Sequence, residues 1–404
     1  MNKIKNGDKS VIKHLSTYGL ALFFLLTPFE YLLSTWVSIS PLRIIGLFAM
    51  ALAALDVFAQ RKLKFDYRIV FVALWLLYGL FTYFWAVDKI RFQYYYSIYM
   101  NNALMFLLIS MISYTRDEVK LLKKSMIFGV GSLLLYMTFV PGAIIYSDYQ
   151  HRMTLNVEGG RLDQNYLASL MLMSFGIVFY NLCNTKQKKL YKIISIIFCV
   201  AIAYYTLLTG SRSGLIALAL IVFFSINTSW KNRLSIGIPI IVLLIVIVPI
   251  VLQYMPEDLL ERFSFSNFTG QEEDSGSRLV IWRHALSSLQ GIELLFGYGT
   301  GASQTVIGNV LGNGMNMAIH NHYIAMLVEF GLIGFFLINI PIFKMHRELW
   351  KKDKGLAVAF VGILLMAFFL DVVTTKFFWS TMILLSVCYS NQSDDSIEKG
   401  DACE

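Results

Sequence analysis

The sequence predicts an all-α integral membrane protein of about twelve transmembrane helices with one long extracytoplasmic loop. Three observations carry that prediction. The 404 residues are 57% hydrophobic and only 15% charged, with a mean hydropathy of +0.61, whereas a soluble domain is about half apolar and about a quarter charged. Apolar runs recur along the whole length, at about the 20 residues a helix needs to cross a bilayer. The connections between them alternate between strongly basic and weakly basic, as the positive-inside rule requires of a multi-pass protein.

Spans are expected at 17–36, 41–59, 69–87, 97–113, 126–146, 166–183, 193–210, 214–230, 234–254, 320–340, 356–373 and 377–390. The first follows a basic stretch with no small-residue cleavage site, so it reads as a retained span rather than a removed signal. The chain divides accordingly into a cytoplasmic N-terminal segment (1–16), a transmembrane bundle (17–254), a long extracytoplasmic loop (255–319), the C-terminal spans (320–390) and a cytoplasmic tail (391–404). Cys183, Cys199, Cys388 and Cys403 have no paired spacing, which points away from a disulfide framework or a metal site.

The segments "RKLKFDYR", "TRDEVKLLKK", "NTKQKKLYK", "WKNR" and "KMHRELWKKDKG" are basic and are assigned to the cytoplasm, with both termini. Ten of the 34 Lys and Arg fall on the other side, and eight of those ten are Arg. Lys suffices to orient a span, but Arg offers a planar, always-charged fork that grips phosphate in two places. The outer face therefore looks built to hold an anion, the alternative being arginines that merely snorkel at the interface. Arg212 stands out, set in "LLTGSRSGLIAL" between two membrane-grade runs. Gly210 and Gly214 permit the tight reversal there, and Ser211 and Ser213 flank the guanidinium.

In the long loop, "SRLVIWRHALSSL" has a helical apolar stripe with Ser277 as N-cap and with Arg278 and Arg283 projecting about half a turn apart. "GYGTG" follows as a glycine-rich turn that matches no dinucleotide or P-loop spacing. The loop is too short for a soluble catalytic domain and reads as a lid. The acidic run "EED" (272–274) is the one metal-binding candidate on the outer side, and a solvated loop is the simpler reading of it. The chain re-enters at "AIHNHYIAMLVEFGLIGF". On a helix starting at His320, His320, Ile324, Leu327 and Gly331 share a face, and Gly331 and Gly334 permit close helix packing. His320 and His322, two apart, diverge around a helix and do not suit one metal. Histidine titrates near neutrality and so fits a general base, or else His320 only caps the helix.

Together these segments resemble the O-antigen ligase and O-antigen polymerase superfamily. His320 and Asn321, then nine residues, then "GLIG" resemble its H-N-x9-G-x-x-G signature. "TGSRSGLIAL" resembles its Ser-Arg-Ser-Gly turn, "GGRLDQNYLA" (159–168) its Arg…Asn-x-x-Ala segment, and "GSRLVIWRHAL…LFGYGTG" the loop before its histidine. The resemblance runs in order from about 155 to 340, while the N-terminal third is similar only in hydropathy.

The resemblance implies a metal-independent, cofactor-free membrane glycosyltransferase, similar in architecture to lipid-dependent transferases. It would take a glycan from undecaprenyl pyrophosphate on the outer face of the bacterial inner membrane. Polymerisation of surface-polysaccharide repeat units is the first reading, and ligation to lipid A core is the alternative. Membrane lipids, a flippase and a chain-length regulator are the implied partners, and nucleic acid is not. His320 is the implied base. Arg212, Arg161, Arg278, Arg283, Asn165 and Asn321 are the implied contacts to pyrophosphate and glycan. A lipid-linked glycan transporter is the rival of another class, disfavoured by the absence of an internal repeat. Glu329, the one deep acid, lies beside Gly331 and Gly334 and reads as packing.

Overall fold

The computed structural model of the chain describes residues 12–36, 40–59, 65–147, 151–157, 160–228, 278–310 and 317–400, without the side chains of 34–36, 160–161 and 391–400. Helices dominate. In chain order they are α1 (Ser16–Leu26), α2 (Glu30–Trp36), α3 (Pro41–Ala59), α4 (Tyr67–Phe81), α5 (Lys89–Ser110), α6 (Arg116–Phe139), α7 (Gln164–Asn184), α8 (Lys189–Leu208) and α9 (Arg212–Asn227). After residue 277 come α10 (Arg278–Ser288), α11 (Glu293–Phe296), α12 (Ser303–Val310), α13 (His322–Lys352), α14 (Lys354–Met366) and α15 (Lys376–Gly400). Among the described residues, seven helical stretches are long and apolar enough to cross a membrane: α3, α6, α7, α8, α13, α1 with its continuation to Leu33, and α4 extended to Phe84. α9 and α14 are apolar but shorter. The chain is a multi-pass helical membrane protein.

The expected span at 234–254 and the run "EED" lie outside the described residues. Elsewhere the bounds move for identifiable reasons. α6 stops at Phe139, because Pro141 cannot continue a helix and Gly142 turns with φ +75°. Residues 144–146, expected inside that span, form a strand instead, so the chain is not wholly α. β1 (Ile144–Tyr146), β2 (Met153–Val157) and β3 (Gly160–Arg161) make a small antiparallel sheet, with Ile145 opposite Thr154 and Asn156 opposite Arg161. The span expected at 97–113 belongs to α5, which starts at Lys89 and carries Asn101 and Asn102. That at 356–373 ends at Met366 and gives way to a loop. The last helix runs through the predicted tail to Gly400.

The core is packed through small residues, as expected where lipid offers no hydrophobic drive between helices. α7 is at its centre, buried almost continuously from Asn165 to Ile177. A Cβ on Gly176 would lie 2.5 Å from the Ala359 backbone of α14, and one on Gly129 of α6 2.5 Å from the Leu25 carbonyl of α1. One end of the bundle is closed by polar ties. Glu118 accepts from the backbone N–H groups of Lys13 and His14, each at 2.8 Å, and the buried Arg68 donates to Ser386. Asp353 pairs with Lys123. The sheet, the N-termini of α7, α9 and α13, and α10–α12 gather at the other end.

Candidate functional site

Each functional side chain is delivered by a helix start or by the sheet. Ser211 caps α9, its Oγ accepting from Gly214 N at 3.1 Å, and so presents Arg212 at the first helical position. Gly210, with φ +61°, makes the preceding reversal in a conformation that favours glycine. Gly214 allows α9 to close on α7: a Cβ there would lie 2.9 Å from that of Ala168. Ser211 Oγ also donates to Asn165 Oδ1 at 2.8 Å and approaches Ser213 Oγ at 3.3 Å. Asn165 is buried, and its bond from Ser211 ties the arginine turn to α7.

His320 is not on a helix. α13 starts at His322, with Asn321 as its N-cap accepting from Ile324 N at 3.1 Å. His320 has φ +51°, a left-handed conformation uncommon outside glycine and typical of constrained sites. It is fixed from both sides: Ile319 is buried and its carbonyl accepts from Trp282 Nε1 at 2.9 Å, while Asn321 is buried in its cap. The expected helical face of His320, Ile324, Leu327 and Gly331 therefore does not form. Among the described residues none is hydrogen-bonded to the imidazole. The His322 ring is buried against Phe378 and Tyr323, and the backbone N–H of His322 donates to the carbonyls of Ala367 and Leu370.

The sheet supplies two residues that sequence reasoning left out. Asp163 caps α7, accepting from Tyr166 N at 2.8 Å. Arg152, just before β2, donates from Nε to the Thr209 carbonyl at 2.9 Å, and its Nη2 is buried without a hydrogen-bond partner. Burial lowers the proton affinity of Arg152, with the Asp163 charge opposing and those of Arg278 and Arg212 adding to it. Burial lowers the proton affinity of Arg278, and Asp163 partly restores it. His320 belongs to the same cluster: burial first, then the Arg278 charge, holds its pKa below the ordinary histidine value, with Asp163 opposing. Only the expected span start at 166, just after Asp163, hinted at this region.

Of the four predicted arginines, Arg212 and Arg278 join the cluster, while Arg283 is exposed on α10. Arg161 lies on β3, with its side chain outside the described residues. Three guanidiniums and Asp163 leave an excess of positive charge in a partly buried place, a situation that an anion resolves.

Gly331 and Gly334 do more than pack helices. Gly331 breaks α13 with φ +60° and ψ −167°. Its missing side chain makes room for α11: a Cβ would lie 2.3 Å from the Leu295 carbonyl. On Gly334 a Cβ would meet that of Phe330 at 2.3 Å. The glycine-rich turn takes up the carbonyls beside the break, Tyr298 N donating to Val328 O at 2.8 Å and Gly299 N to Glu329 O at 2.9 Å. Tyr78 of α4 donates to Phe296 O and Phe330 O. Glu329 is buried and accepts from Ser303 at 2.7 Å and Tyr99 at 3.1 Å, tying α5, α12 and α13 together.

Fold and site together define a multi-pass helical membrane protein with a cluster of arginines and a histidine at one end of its bundle. A family model described as O-antigen ligase matches residues 196–338, a little over a third of the chain. Over that stretch the chain matches the O-antigen ligase family, which supports its likeness to the O-antigen ligase/polymerase superfamily. The match takes in the Arg212 turn, α10–α12, His320 and the α13 break; Arg152, Asp163 and Asn165 precede it. No curated protein matches the chain.

Proposed function

We propose that this protein transfers a glycan from undecaprenyl pyrophosphate to an acceptor hydroxyl on the outer face of the inner membrane, extending a surface polysaccharide. Ligation to a lipid A core is the alternative acceptor chemistry. The family supports glycosyl transfer of the O-antigen ligase/polymerase type. The single observation that supports the finer reading is that the Arg278 charge acts on both His320 and Arg152, with Arg212 acting on Arg152 as well.

The chemistry follows from those groups. His320, neutral at physiological pH, accepts the proton of the acceptor hydroxyl through a ring nitrogen. The acceptor oxygen forms a bond to the anomeric carbon, and the bond from that carbon to the pyrophosphate oxygen breaks. The departing lipid pyrophosphate gains negative charge, which the guanidiniums stabilise where they already stand. They thereby take the charge-stabilising role that a divalent ion plays in other transferases. Asp163 keeps the arginines from repelling one another apart before the donor arrives.

The experiment is reconstitution of the purified chain with a defined polyprenyl-pyrophosphate-linked glycan and two acceptors, a second lipid-linked glycan and a lipid A core. Elongated lipid-linked product supports polymerisation, and glycosylated core supports ligation. No transfer to either acceptor, with the donor intact, overturns the proposal.

A further inference from the structure

The extramembrane loop does not stay outside the bundle. α11 packs on α13 at Gly331, nine residues past His322, which is about 13 Å along a helix axis. It leaves the bundle's outside at Gly291 and returns through Gly297, with φ +60° and +70°. At Gly297 a Cβ would lie 2.5 Å from the Glu329 carbonyl. Between these glycines Ile292 is 66% exposed, Leu294 40%, Leu295 47% and Phe296 37%.

Two observations say what covers this apolar surface. First, the helices it touches carry exposed apolar side chains of the kind that a bilayer covers. α11 lies beside α4, whose Leu74, Leu77 and Phe81 are exposed one or two turns apart, and beside α13, whose Phe336 and Ile340 are exposed likewise. Second, the irregular backbone that follows it is tied within the protein. Gly297 N donates to Glu293 O, Tyr298 N to Val328 O, Gly299 N to Glu329 O and Thr300 N to Thr82 Oγ1, while Tyr298 O accepts from Val87 N. An irregular segment at membrane depth requires this, because hydrocarbon offers no partner. A loop in water does not.

We infer that residues 292–296 form a re-entrant wedge seated in the leaflet on the site side, with the acyl chains of the bilayer as its partner. Glu293 in its first turn keeps the insertion shallow, since a carboxylate is costly in hydrocarbon. The wedge anchors the arginine-bearing helix: Tyr298 donates to Ser288 O, at the end of α10, at 2.6 Å, and Trp282 of α10 reaches Ile319. Arg278 is thus held over the site between a lipid anchor and His320.

The test is collision accessibility of a nitroxide in the full chain in lipid nanodiscs, with the four native cysteines replaced. Labels at Ile292→Cys and Leu294→Cys are compared with Phe336→Cys as the lipid-facing reference and Arg283→Cys as the aqueous reference. Oxygen, which partitions into lipid, is expected to collide several-fold more than a water-soluble nickel chelate at both wedge positions, as at the Phe336 position. Nickel-dominated collisions, as at the Arg283 position, overturn the wedge. Low collision with both reagents overturns it too, since a protein surface would then cover the patch. Leu295→Cys replaces either variant that does not elute as a single folded species. The readout does not depend on glycan transfer, so it stands apart from the proposed reaction.

Discussion

Trp282 Nε1 donates to the carbonyl of Ile319 at 2.9 Å, so the helix that carries Arg278 is tied to the residue immediately before His320. Arginine and histidine are therefore positioned by one contact. Trp282→Phe keeps the ring and removes the bond, worth about 1 kcal/mol or a factor of about five. Transfer should slow by about that factor in kcat, with donor KM nearly unchanged. A change confined to KM would mean the contact serves donor binding alone.

His320→Ala should reduce transfer by about 10²–10⁴-fold, the usual cost of a general base. Membrane insertion and elution should be unchanged, because the side chain holds no other described residue in place. Turnover close to that of the unmodified protein would remove His320 from the chemistry.

The pH profile carries a sign. A histidine serves as a base only when neutral, and the pKa of His320 is held below the ordinary histidine value by burial and then by Arg278, against Asp163. Activity should therefore persist below the pH where a free histidine protonates, then fall. Arg278→Gln removes a positive charge and should move that acid limb to higher pH. Asp163→Asn keeps the helix cap, removes a negative charge and should move the limb to lower pH. Shifts in the opposite senses would separate the limb from His320.

Arg212→Lys should be nearly as damaging as Arg212→Ala, because lysine keeps the charge but loses the two-pronged geometry. Retention of most activity by the lysine variant would show that charge alone is needed. In the same assay, excess EDTA should leave transfer unchanged without added magnesium or manganese. Loss that either ion restores would assign the pyrophosphate to a metal and direct attention to "EED".

Gly331→Ala should lower the melting temperature more than Gly291→Ala. Both glycines have φ +60°, and a non-glycine residue in a sparsely populated conformation costs about 1–3 kcal/mol. Only at Gly331 does the new Cβ also strike backbone, 2.3 Å from the Leu295 carbonyl; at Gly291 the nearest atom is 3.7 Å away. Equal melting points in a thermal scan would mean that α11 is free to move off the break.

The sequence by itself determined the helical membrane class, most helix starts and the resemblance to the O-antigen ligase family, because those signals are local. Apolar length marks a span, a single side chain caps a helix at Asp66, Asp88, Thr115, Asp163, Ser211, Asn321 and Asp353, and the arginine and histidine motifs are contiguous. Tertiary structure decided the rest. Nothing local says that Arg152, some sixty residues before Arg212, bonds the Thr209 carbonyl, or that Arg278 rather than Arg283 turns to His320. Gly331 likewise reads as a packing glycine until α11 is seen on its backbone. Helix periodicity placed His320 on α13, but Trp282 and the Asn321 cap hold it in a left-handed turn outside that helix. These are contacts between segments far apart in the chain, set by which buried donors and acceptors must find one another, and no window of sequence contains both partners.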